Sequence, residues 1–140
     1  MESQPNIDPA ETLSHMFDLL RPGGVLVASF GPTWYHPYGG HLFSVFPWAH
    51  LLFSERALIR WRADHRFDNV QGFEEAGLNR MTVRRFLRIA NSSRFTLEHL
   101  ELVPIRHVKR LHNRLTREFF TAIIRCKFRK PAHEPGDQRM

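Results

Sequence analysis

Residues 11–30 read Glu11-Thr12-Leu13-Ser14-His15-Met16-Phe17-Asp18-Leu19-Leu20-Arg21-Pro22-Gly23-Gly24-Val25-Leu26-Val27-Ala28-Ser29-Phe30. Leu13, Met16, Phe17 and Leu20 recur at i, i+3, i+4 and i+7, which lays one apolar stripe along a helix. The helix start lies just upstream. Asp8 is a capping residue, Pro9 suits the first helical position, and Glu11 stands three after the cap. Arg21-Pro22-Gly23-Gly24 stops the helix, because proline cannot continue it and glycine permits the reversal. Val25 to Phe30 follows at once as an apolar run without alternation. Such a run predicts a strand covered on both faces, as in a parallel sheet. Helix, tight turn and buried strand together are the local grammar of an α/β fold.

Downstream, Gly31-Pro32-Thr33-Trp34-Tyr35-His36-Pro37-Tyr38-Gly39-Gly40 predicts a loop rich in aromatic rings as well as turn formers. Residues 47–63 predict two helical pieces, with Ser54 capping the second. Residues 64–81 read as irregular, broken by Gly72 and Gly77. Thr82 caps a further helix whose stripe is Val83, Phe86, Leu87 and Ala90, with Arg84, Arg85 and Arg88 facing away. Residues 95–105 predict a strand, 106–118 a basic connector, and 120–129 a last strand. In that strand Phe120, Ala122, Ile124, Cys126 and Phe128 alternate with Thr121, Ile123, Arg125, Lys127 and Arg129. Beyond Lys130 the composition is polar, with Pro131, Pro135 and Gly136, and predicts a disordered tail. The expected organisation is one partial domain over 1–130 and a tail over 131–140.

The block Leu20-Arg21-Pro22-Gly23-Gly24-Val25-Leu26 resembles one found in class I S-adenosylmethionine-dependent methyltransferases (of the methyltransferase type 11 kind). There a helix ends in a similar basic-Pro-Gly-Gly corner and runs into the fifth strand of the sheet. The later order, a helix like Met81-Thr82-Val83-Arg84-Arg85-Phe86, a strand like 95–105 and a closing antiparallel strand like 121–129, is similar as well. The resemblance covers roughly residues 5–130. It implies the C-terminal half of a Rossmann-like sheet of seven strands, whose last strand lies antiparallel beside the fifth. This chain would supply strands five to seven.

The same resemblance implies S-adenosylmethionine as cofactor, yet the glycine-rich loop that receives it has no counterpart here. Gly23-Gly24 and Gly39-Gly40 stand in other contexts, so no cofactor-binding residue carries over. What the resemblance leaves is the loop after the fifth strand, where open α/β sheets bind ligands. Trp34, Tyr35, His36, Tyr38 and His41 are therefore the candidate substrate-binding residues. Rings could hold a flat acceptor and a histidine could take a proton. The same rings could equally pack beneath the following helices. The implied function is a methyltransferase fragment, inactive alone, awaiting an unidentified methyl acceptor. The alternative is a non-catalytic half-domain that associates with a partner chain, or with itself, through an exposed sheet edge.

The 140 residues suffice for one core, at 42% hydrophobic and 24% charged, with a formal charge of +6. The positive charge is spread along the chain, so a nucleic-acid role is not expected; the dense segment Arg106 to Arg117 lacks the interleaved aromatics that such binding uses. No apolar run approaches the ~20 residues that span a bilayer, and the N-terminal residues have no leader pattern. A cytoplasmic location without membrane contact is expected. Cys126 is the only cysteine, and on an apolar strand face it reads as a buried, inert thiol. His36, His41 and His50 match no metal-ligand spacing.

Overall fold

The computed structural model describes residues 8–65, 71–73 and 78–132. Helix α1 spans Pro9–Leu19, and Asp8 caps it by accepting a hydrogen bond from the Ala10 amide at 3.1 Å. Its C-terminal end is closed from a distance. The Lys130 ammonium donates to the carbonyls of Phe17 and Leu20, both at 2.8 Å, answering acceptors that a helix end leaves open. Gly23 turns the corner with φ +75°, a value costly for any residue with a Cβ. Its amide bonds Lys130, and Lys130 bonds back to Gly24.

The corner feeds β1 (Val25–Phe30). With β2 (Thr96–Pro104) and β3 (Thr121–Arg129) it makes a three-stranded sheet in the order β1-β3-β2. β3 is antiparallel to both neighbours, so β1 and β2 run the same way on either side of it. The predicted strand over 95–105 is present with trimmed ends. A register shift between Leu97 and His99 brings Leu97 and Leu100, three apart, to one face.

One sheet face carries the core. Ile124, Cys126 and Phe128 of β3 are buried, with Leu26, Ala28 and Phe30 of β1 beside them. Helix α1 contributes Phe17. Helix α4 (Val83–Ser92) contributes Val83, Phe86 and Ala90, the stripe read from the sequence. Thr82 caps α4 by accepting from the Arg85 amide at 3.0 Å. The Glu118 carboxylate, on the short helix α5 (Arg117–Phe120), accepts from the amides of Val83 and Arg84 at 3.0 and 2.8 Å.

The opposite face corrects the expectation that β1 is covered on both sides. Val25 and Ser29 are exposed, and Val27 is 73% exposed. The physical reason is that both helices α1 and α4 pack on one side, and no described residue covers the other. On β2 and β3 this open face is charged: Glu98 pairs with Arg129 and, at 3.0 Å, with Lys127, while Arg125 meets Glu101 at 3.3 Å. The two cations hold the Glu98 carboxyl below its ordinary pKa. A sheet buried on both sides throughout, as in fully parallel architectures, is therefore not what this chain forms. The molecule is mixed α/β, a small antiparallel sheet with flanking helices.

Between β1 and α4 lies an excursion with its own small core. It contains helices α2 (Ala49–Leu52) and α3 (Glu55–His65). Ser54 caps α3 through a 3.4 Å bond from Ala57, as expected. Phe43, Ala49, Leu58, Phe73 and Leu78 pack together here. Of the predicted irregular stretch 64–81, residues 66–70 and 74–77, Gly77 among them, lie outside the described residues, as do residues 133–140 of the expected tail. The basic connector 106–118 begins as a 3-10 turn over Arg106–Leu111.

Candidate functional site

The loop after β1 is pinned at several points. Thr33 is fully buried and donates to the Thr121 carbonyl at 3.1 Å. The Trp34 amide donates to Met81 at 2.7 Å. The Trp48 indole donates to the Tyr35 carbonyl at 2.9 Å, while Trp48 itself takes a left-handed φ of 62°. Gly40 lies against the His50 ring, where an added Cβ would stand 2.6 Å from the His50 Cβ. These ties make the loop a fixed platform.

Of the five candidate residues, the platform brings two to one place. Trp34 and His41 line a cavity of about 560 Å³. Trp34 is half-buried, with its ring edge-on to His50 at 4.7 Å and to Phe73 at 5.7 Å. His41 is exposed, in a left-handed backbone conformation with φ 48°. The other three do not line this cavity. Tyr35 packs on Phe119, 5.3 Å between ring centres. The His36 Nδ1 accepts from the Tyr38 amide at 3.0 Å, and Tyr38 is half exposed.

Three histidines lie close enough to influence one another. Burial pushes the His36 imidazole below its ordinary pKa, and His41 and His50 push the same way. Burial also lowers His50, opposed by its hydrogen bond to the Trp34 carbonyl and reinforced by His41. At 4% exposure, with a 2.6 Å contact from Nε2 to that carbonyl, His50 must carry its proton on Nε2. Its buried Nδ1 has no partner among the described residues. Neutral, inward-directed and packed on Trp34, His50 supports the platform. No group of three potential ligands that could hold a metal ion occurs among the described residues.

Most of the cavity wall was not singled out from the sequence. Its floor is the covered sheet face at Leu26, Ala28, Phe30, Cys126 and Phe128. Leu13 and Met16 of α1 form one wall, Phe86 and Ile89 of α4 the other. Gly31-Pro32 and the segment Leu78–Met81 complete the lining with Trp34 and His41. The one available signal was the small pair Ala28 and Cys126, which face each other in register where bulkier side chains would fill the space. Burial pushes the Cys126 thiol up, so it stays protonated, as its apolar position suggested.

A glycine cradle for a nucleoside ligand is not formed by the described residues. Gly23-Gly24 is consumed in the α1–β1 corner, and Gly40 is filled by His50. The described residues do not fit S-adenosylmethionine. Compared with protein families, with curated proteins and with solved structures, the chain matches none. No helix among the described residues is long and apolar enough to cross a membrane.

Proposed function

We propose that this chain is the C-terminal part of a class I methyltransferase-like, Rossmann-type domain. It supplies three strands and the acceptor-side loop, and the donor site belongs to strands that precede it. The observation that carries this reading is the contrast between the two edges of the sheet. β2 has the features of a true edge: Glu98, His99 and Glu101 along it, Pro104 at its end and two register irregularities. β1 has none. It is six uncharged residues, with no strand among the described residues on the side away from β3. An unprotected apolar edge is what an interior strand looks like when its neighbour is not part of the chain. The antiparallel placement of β3 beside the strand that follows Arg-Pro-Gly-Gly supports the same reading.

Alone, the chain neither binds S-adenosylmethionine nor transfers a methyl group. Titration calorimetry with the donor should show no binding; tight binding by residues 1–140 overturns the proposal. Sequencing the coding DNA immediately upstream is the complementary test. An in-frame strand followed by a glycine-rich loop is expected, and an unrelated sequence there counts against it. The open edge also favours a second reading, a half-domain that works by pairing with a partner chain or a second copy. Sedimentation equilibrium tests the self-pairing form of that second reading, which a stable monomer removes.

A further inference from the structure

We propose that the cavity between α1, α4 and the sheet binds a small, uncharged, mostly apolar molecule with one polar end. This deepens the reading above by naming the class of acceptor, and the word acceptor rests on that reading. The binding itself does not depend on it.

The volume, about 560 Å³, falls within the ~300–1,000 Å³ of sites that take drug-sized molecules. The space exists because the floor is shallow: Ala28 and Cys126 face each other in register, with Leu26 and Phe128 on one side and Phe30 on the other. Two helices and a pinned loop frame it, so the site is walled rather than a bare face. Its charge excludes ions. Among the described residues the only Lys, Arg, Asp or Glu in the lining is Arg80, and its cation is already answered: it pairs with Glu55 at 3.4 Å and lies over the rings of Trp34 and Phe73, each at 5.5 Å. The Cys126 thiol is held protonated. Among the described lining residues an anion would find no unpaired Lys or Arg, and a cation no carboxylate.

The other polar side chains of the described lining are Thr12, His41 and Asn79, and the Thr12 hydroxyl is already spent on the Asp8 carbonyl at 3.1 Å. His41 makes no side-chain hydrogen bond among the described residues, so its ring is open to one polar group of a ligand. Asn79 is already turned inward on itself, its Oδ1 accepting from the Met81 amide at 3.1 Å. A phenol or a short-chain alcohol of sufficient apolar bulk has this distribution: a body for the Ala28–Cys126 floor and a hydroxyl for His41.

The test uses the full 140-residue chain and the neutral dye N-phenyl-1-naphthylamine, followed by fluorescence, with 1-naphthol as competitor. Saturable binding displaced by 1-naphthol is expected. Ala28→Leu should fill the floor, raise the melting temperature and weaken dye binding about tenfold or more. Met16→Trp fills the space from α1, where Met16 is 41% exposed, and should act alike if Ala28→Leu fails to fold. Leu52→Ser, at an exposed residue that is not part of the lining, should leave binding unchanged. His41→Ala should weaken 1-naphthol more than the dye, whose ring-flanked amine is a poorer hydrogen-bond donor than the naphthol hydroxyl. Absence of saturable binding overturns the proposal. So does dye binding that survives both filling variants or is lost in Leu52→Ser, since the dye would then sit on the surface. None of these failures touches the edge argument, which rests on the sheet.

Discussion

Lys130 ties the end of β3 to the end of α1. Its ammonium answers two helix carbonyls and lies over the Phe17 ring at 4.4 Å. Lys130→Met keeps most of the side-chain stem but leaves those carbonyls unanswered. It should lower unfolding free energy by about 1–3 kcal/mol, measured by urea denaturation. His36 and His50 carry a second residue-scale consequence. Burial holds both imidazoles below the unfolded value near 6.5. The unfolded chain then binds more protons, so stability is full above about pH 6.5 and declines as pH falls through that value towards the folded-state pKa values. Thermal melts between pH 8 and 5 should show the decline. His50→Gln, which retains a donor for the Trp34 carbonyl, should flatten it; an unchanged slope in that variant and in His36→Asn would contradict the assignment.

At the scale of elements, the helices were the most legible part of the sequence. Caps and stripes are local signals, and Asp8, Ser54 and Thr82 each cap the helix they announced. The third dimension of those helices was not legible. Glu118 lies 34 and 35 residues from the α4 amides it caps, and nothing in the spacing reveals it. Because it answers two open amides with a charge at the favourable helix end, Glu118→Ala should cost about 1–2 kcal/mol, more than Glu118→Gln, in equilibrium unfolding. β2 shows a related limit. Leu97, Leu100 and Leu102 do not alternate strictly, and the irregularity that reconciles them appears only in its pairing with β3. The candidate loop divided for a similar reason. Five rings and imidazoles sit within eight residues, but backbone ties to Thr121, Met81 and Trp48 decide which of them turn towards the cavity.

For the whole molecule, strand order and coverage follow from long-range pairing. A continuous apolar run such as Val25–Phe30 declares that a strand has apolar neighbours, without saying that this chain provides them all. α1 and α4 cover one face, β3 takes one edge, and Val25 and Val27 remain open. The outer face of β2 and β3, by contrast, is tiled with ion pairs suited to water. The mismatch within one sheet is what makes β1 an inner strand by composition and an edge by position.

Residue-resolved amide hydrogen exchange of the monomeric chain tests that claim most directly. Along Val25–Phe30, alternate amides point to β3 and to the open edge, so slow and fast exchange should alternate. Six uniformly slow amides in a verified monomer would mean that the edge is already covered, and six uniformly fast ones that β3 does not hold the strand; either result contradicts the account.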